Sequence, residues 1–244
     1  FTKDAEYDRE ALRERALQSS FLVPGLVLRL VDQRDPTDLW EETFQHKGGI
    51  SEYATHLNDG QVIGSVIRLF GSGHFAETVP VLDDQGHMTS QEVQRELAVD
   101  IALQWNTGYE SILRSFVNVI ATPQGGTHVV GLERALTKVF NEYLKNAKIL
   151  KSSEDSVTKE DLSEGLTAVV AIRLAEPQFE GQTKEVLGTP AATRIVSAVV
   201  AKEMAKWLKT PPRGEKAAAR MIAEKVANAM RARIAARSHR DTQR

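Results

Sequence analysis

Hydrophobic positions along this chain follow two rhythms. Leu97, Val99, Ile101 and Leu103 alternate with Ala98, Asp100, Ala102 and Gln104, the period of two expected of a strand with one buried face. Leu166, Ala168, Val170, Ile172 and Leu174 repeat that pattern. Elsewhere the spacing is three to four. Leu132, Leu136, Val139, Phe140 and Tyr143 predict one helix face, Val196, Val200, Met204 and Leu208 a second, and Ile222, Val226, Met230 and Ile234 a third. Thr210-Pro211-Pro212-Arg213-Gly214 separates the last two. Asn106-Thr107-Gly108 reads as a turn into a partner strand over 112–120, giving an antiparallel hairpin.

The first 60 residues read as a strand remnant, a helix over 7–20, a strand from Leu26 to Val31, a strand from Trp40 to His46, and a short helix opened by Gly48-Gly49. Asn58-Asp59-Gly60 is a connector, and the polar stretch 83–96 looks like an insertion. No repeat of 20–50 residues is visible. Strands followed by helices in this order predict an α+β protein.

At 244 residues the chain is long enough for two modest cores, and 41% hydrophobic with 26% charged residues is ordinary for a globular protein. No apolar run approaches the roughly 20 residues needed to cross a bilayer. The absence of cysteine excludes disulfides, thiol nucleophiles and thiolate metal sites, and fits a cytoplasmic protein. The opening Phe1-Thr2-Lys3-Asp4 has neither an initiator methionine nor a signal-peptide pattern and reads as a cut from something larger. Charge is uneven. From Arg213 to Arg244, nine Lys or Arg stand against Glu215, Glu224 and Asp241, a balance of +6. With −2 overall, the preceding 212 residues carry −8. A basic arm on an acidic body points to a polyanionic partner at one end.

One loop offers chemistry. Gln182-Thr183-Lys184, inside Pro177 to Gly188, lies between an alternating strand and a long helical region. A cation beside an amide donor on a short glycine-containing loop suits a terminal phosphate held by other residues. Other candidates favour structural roles. His128 is read as a hydrogen-bonded helix cap, Trp105 and Trp40 as core or half-buried aromatics, and His46, His56, His74 and His87 lack metal-ligand spacing.

Four stretches together resemble the B subunits of bacterial type IIA DNA topoisomerases, namely DNA gyrase and topoisomerase IV. These are Leu12 to Leu22 with His46-Lys47-Gly48-Gly49-Ile50; Val99 to Asn106; Asn118 to Gly131 around Gly125-Gly126-Thr127-His128; and Glu164 to Val170 followed by Gln182-Thr183-Lys184. They occur in the family's order. The resemblance implies three parts. Residues 1–60 are a remnant of a GHKL-type ATP-binding α/β sandwich, residues 61–188 a transducer of the ribosomal-protein-like β-α-β type with a left-handed crossover, and residues 189–244 a C-terminal helical arm.

The implied activity is ATP-dependent DNA strand passage by the full-length protein. Lys184 would contact the ATP γ-phosphate with support from Gln182, so that nucleotide state is relayed toward the DNA. Arg134 and Lys138 on one helix, and Arg220, Lys225, Arg231 and Arg233 on the arm, are the candidate DNA contacts. The implied cofactors are ATP and Mg2+. The implied partners are DNA, a topoisomerase A subunit in an A2B2 heterotetramer and a second B subunit, with no membrane and a cytoplasmic, nucleoid-associated location.

The family's catalytic glutamate, magnesium-binding asparagine, adenine-binding aspartate and glycine-rich lid are expected upstream of Phe1, and its metal-binding catalytic domain beyond Arg244. Within 1–244 no catalytic or metal-ligating residue is identified, and the chain alone is expected not to hydrolyse ATP. The length of Phe75 to Glu96 leans toward a topoisomerase IV-type protein. Two alternatives stand beside this reading. One is the equivalent region of mismatch-repair or chaperone ATPases; the other is an α+β nucleic-acid-binding module with a basic helical arm and no nucleotide role.

Overall fold

The computed structural model describes residues 6–242, with side chains as far as His239. The opening residues 1–5 with the expected strand remnant, and the arm's charges at Arg240, Asp241 and Arg244, lie outside the described structure or side chains. In chain order the elements are α1 (Arg9–Leu22), β1 (Leu28–Asp32), β2 (Trp40–Phe44), α2 (Ile50–Leu57), β3 (Val62–Leu82), β4 (Met88–Asn106), β5 (Ile112–Val117), β6 (Ile120–Ala121), α3 (Thr127–Asn146), α4 (Lys159–Ser163), β7 (Leu166–Leu174), α5 (Pro190–Lys209) and α6 (Lys216–Thr242).

β1 and β2 form a small antiparallel pair, and the other strands form one sheet in the order β3-β4-β7-β5-β6. β4 pairs antiparallel with β3 and β7, whereas β5 pairs parallel with β7 and antiparallel with β6. The expected hairpin between 97–104 and 112–120 is therefore corrected. β7 inserts between those two strands, so β4 and β5 are not neighbours. Alternation identifies a strand and its buried face; it does not identify the partner.

The alternating residues are buried as the pattern requires. Leu97, Val99, Ile101, Leu103 and Trp105 of β4, with Ala168, Val170 and Ile172 of β7, face a core completed by α3, α5 and α6. Each fully buried aliphatic side chain contributes about 1.5–3 kcal/mol relative to exposure. On the opposite face, Ala102, Phe116 and Val169 pack against Phe21 of α1 and Ile50, Tyr53 and Ala54 of α2. Helices thus cover both faces of the sheet.

Glycines set the closest approaches. At Gly71 and Gly73 of β3, added Cβ atoms would lie 3.1 Å from Val199 and 2.9 Å from Ile195, so their absence seats α5 on the sheet. At Gly131 of α3 a Cβ would come within 2.8 Å of the Thr193 carbonyl oxygen, and Ser197 Oγ donates to the Gly131 carbonyl at 2.9 Å. α3 and α5 therefore pack with almost no spacing between their backbones.

The stretch 83–96 is not an insertion between elements. It is the turn and outer strand of a long β3–β4 ribbon, paired from Leu82↔Met88 down to the sheet. Its polar composition reflects a two-stranded ribbon that projects beyond the helices and is wet on most sides. β3 escaped the sequence reading because its three glycines and the register shift between Ile63 and Ile67 break its periodicity.

Candidate functional site

The segment Pro177–Gly188 leaves β7 and returns to α5 as a narrow finger. Its base is stitched by backbone bonds. Gly188 N–H donates to the Gln178 carbonyl at 2.7 Å, Glu180 N–H to Val186 at 3.0 Å, and Gln178 N–H to Thr189 Oγ1 at 3.0 Å. Leu187 is fully buried and is the anchor. Its N–H donates to the Gly125 carbonyl at 3.0 Å, while Thr127 N–H donates to the Leu187 carbonyl at 2.9 Å. The finger is thereby fastened to the first turn of α3.

Gly126 makes this fastening possible. Its φ is 132°, in a region L side chains rarely adopt, and a Cβ there would lie 2.4 Å from both Leu187 N and O. The double glycine was legible in the sequence as a turn. That it faces Leu187, more than sixty residues later, was not.

The tip carries the candidate side chains. Gln182, Thr183 and Lys184 are all exposed, and Lys184 N–H donates to the Gly181 carbonyl at 3.2 Å. Lys184 has φ 57°, a left-handed conformation that costs a non-glycine residue about 1–2 kcal/mol. Its ammonium stands 5.9 Å from the centre of the Phe179 ring, a long cation–π contact on the same finger. Lys184 and Gln182 thus share one exposed tip on a tied base.

His128 departs from its expected role. Gly126 occupies the cap position, and the imidazole is completely buried behind it. Nε2 lies 3.2 Å from Thr122 Oγ1, while Nδ1 has no hydrogen-bond partner. Burial pushes its pKa down to about 4, so the ring is neutral near neutral pH. Trp105 is a core residue whose Nε1–H donates to Leu162 O at 3.0 Å, and Trp40 is half-buried under the Arg9 guanidinium. Among the described residues no group of three or more His, Asp and Glu side chains is placed to hold a metal ion.

The cations fall into two sets. Arg134 and Lys138 are exposed on one stripe of α3. The four candidates on α6 have partners within the chain. Arg220 pairs with Glu224 at 2.8 Å, and Lys225 Nζ donates to Gly108 O at 2.6 Å beside the Tyr109 ring. Arg231 pairs with Glu154 at 2.8 Å and also reaches Ile149 O, holding the Glu154 carboxyl far below the usual carboxylate range. Arg233 bonds both oxygens of Asp161, at 2.8 and 2.9 Å. Burial pushes the Asp161 carboxyl up, and its bonds from Arg233 and Thr158 outweigh that and bring it below the ordinary value. Lys225, Arg231 and Arg233 therefore clamp the arm to the turn after β4, the α3–α4 connection and α4, whereas the Arg220–Glu224 pair lies within α6.

Known proteins share this sequence and this fold. The family model described as DNA gyrase B matches residues 49–242. The DNA gyrase B protein of Staphylococcus aureus is 33% identical over all 244 residues, and that of Streptococcus pyogenes serotype M3 is 37% identical over the same span. The chain spans about a third of the length of those relatives, 34% in each case. Among solved structures, the 43K ATPase domain of Thermus thermophilus gyrase B, crystallised with an aminocoumarin, aligns over 98% of this chain and 58% of its own, with TM-score 0.72 and 29% identity. The ATP-binding domain of Francisella tularensis topoisomerase IV shares the fold, with TM-score 0.67 and 22% identity over 96% of this chain and 56% of its own. With a family match across most of its length and gyrase B relatives along all of it, this chain belongs to the DNA gyrase B family and is part of a type IIA topoisomerase B subunit.

Proposed function

We propose that this chain is the coupling section of an ATP-driven DNA topoisomerase, with Lys184 as its sensor of the ATP γ-phosphate and Gln182 as a supporting donor. The observation that carries this reading is the finger: an exposed ammonium and an exposed amide on a tip whose base is bonded to the entry of α3. A free tip can enter a nucleotide pocket formed by other residues, and a tied base transmits the consequence to the helix. Lys184 would stabilise charge on the terminal phosphate, and Gln182 would donate to a phosphate oxygen or orient its neighbour. That contact exists only while the γ-phosphate does, which is the differential interaction a switch requires. ATP supplies the phosphoanhydride whose cleavage ends the contact. A magnesium ion accompanying the nucleotide would take its ligands from elsewhere in the full-length protein.

Within this reading, residues 1–60 complete the nucleotide-binding unit, 61–188 act as the transducer and 189–244 as the helical arm. DNA, a topoisomerase A subunit in an A2B2 assembly and a second B subunit are the partners, in the cytoplasm with the nucleoid. Of the candidate DNA contacts, Arg134 and Lys138 are the stronger, because Arg220, Lys225, Arg231 and Arg233 already have partners within the chain.

The test uses the full-length protein reconstituted with its topoisomerase partner. Lys184→Ala is expected to abolish ATP-dependent strand passage while a non-hydrolysable ATP analogue still binds within a few-fold of normal. Strand passage at the normal rate in Lys184→Ala would remove the sensing role.

A further inference from the structure

The finger has a second attachment, on the ribbon. β3 and β4 continue past α5, and on their inner face stand Phe75, Glu77 and Arg95, with Phe75↔Arg95 and Glu77↔Val93 in register. Arg95 is only 16% exposed and holds two carboxylates at once. Its Nε donates to Glu77 at 3.2 Å and its Nη2 to Glu176 at 2.8 Å. Glu77, 20% exposed, accepts in turn from Gln178 Nε2 at 3.0 Å. Glu176 and Gln178 are the residues on either side of Pro177, where the finger begins. The ribbon therefore grips the finger's first strand from one side, while Gly125 and Gly126 grip its return strand from the other.

The grip meets a need. Glu176 has φ 50° and Lys184 φ 57°, two left-handed non-glycine residues, one where the finger begins and one at its tip. Such conformations persist only where the surroundings determine them. At Glu176, whose side chain is 73% exposed, the side-chain contact is the Arg95 guanidinium. A guanidinium suits this position because its rigid fork reaches two acceptors in different directions, whereas an ammonium is a single point.

We propose that Arg95 and Glu77 of the β3–β4 ribbon are positioning residues for Lys184, fixing the base of the finger so that its tip is held in the orientation the γ-phosphate contact requires. This rests on the sensing role given above to Lys184. It makes the ribbon a reader of finger position, and a partner that bent the ribbon would alter the nucleotide contact without touching nucleotide.

Two measurements test it. The chain has no cysteine, so Thr183→Cys gives one attachment point for a nitroxide at the finger tip. In the 244-residue chain the label is expected to show restricted motion. Arg95→Met and Glu77→Ala should narrow its central line, and Arg95→Lys should give an intermediate spectrum, with an unchanged thermal midpoint reporting intact folding. Identical spectra in all four proteins would overturn the proposal.

The second measurement is steady-state ATP hydrolysis by the full-length protein. Arg95→Met is expected to lower kcat about 10-fold with KM for ATP held within about 2-fold, the signature of a misplaced group rather than a lost binding contact. In a Lys184→Ala background the same change should add nothing. Losses that multiply would show that Arg95 acts independently of Lys184, and would overturn the proposal. Normal turnover in Lys184→Ala alone removes the inference together with the reading beneath it, and the label arm then identifies the phosphate contact, not the grip, as the failed part.

Discussion

Gly126→Ala probes the bond between finger and helix without touching any candidate nucleotide contact. The new Cβ would sit 2.4 Å from Leu187 N and O and 2.8 Å from its Cα, all backbone atoms that no rotamer change can move aside. Relief requires Leu187 to withdraw, which breaks its bond to Gly125 and that from Thr127. Two such bonds are worth about 2 kcal/mol net, and the forced displacement of a packed core adds about 1–3 kcal/mol. The expected loss is therefore about 3–5 kcal/mol, read as a lower midpoint in urea unfolding of the 244-residue chain. Gly181→Ala, at the finger tip with no atom within 4 Å of the new Cβ, supplies the control and should change stability by less than about 0.5 kcal/mol. If Gly126→Ala proves as mild as Gly181→Ala, the finger is not fastened to α3 in the way described.

Burial, pairing and exposure elsewhere in the fold set three more expected outcomes. Because burial lowers the His128 pKa to about 4 from 6.5, its contribution to stability is complete above pH 6.5 and is lost as pH falls toward 4. That amounts to about 3 kcal/mol, and His128→Gln should flatten the difference between urea midpoints at about pH 4.5 and about pH 7.5. Arg233→Met leaves the Asp161 carboxylate, 2% exposed, without its cation and should cost about 1–3 kcal/mol. Arg231→Met, breaking a half-exposed pair, should cost less than about 1 kcal/mol, and equal losses would contradict this ranking. Arg134→Gln with Lys138→Gln should reduce the salt dependence of duplex DNA binding by a slope of about 2, and an unchanged slope would take α3 out of the DNA contact.

Much of the fold was legible because burial and periodicity coincide. Leu97 to Leu103, Leu166 to Leu174 and the apolar repeats of α3, α5 and α6 are the residues that form the main core. What sequence could not supply was pairing. β7 separates β4 from β5 because a strand late in the chain enters the middle of the sheet, and no local signal records that. The ribbon's second half escapes for a related reason: over 83–96 it is mostly polar on both faces, so it resembles an insertion.

Lys184 and Gln182 are singled out by residue chemistry and resemblance, and both stand exposed on one tip. Their supports were not found. Gly126, Leu187, Arg95 and Glu77 matter through contacts between residues tens of positions apart, and single residues of those types are unremarkable in sequence. The arm's cations show the converse. Charge counting identified Arg220, Lys225, Arg231 and Arg233 as candidates for a polyanion, yet Glu224, Gly108, Glu154 and Asp161 engage them.

The most direct test of the central claim is kcat for ATP hydrolysis at saturating ATP in the full-length protein carrying Lys184→Ala. Loss of one preorganised charge at the terminal phosphate is expected to lower kcat by about 10²–10³, with KM little changed. Gln182→Ala, which removes a neutral donor, should show a smaller loss. A Lys184→Ala enzyme that turns over at the normal rate would contradict the account and leave the finger a connector between β7 and α5.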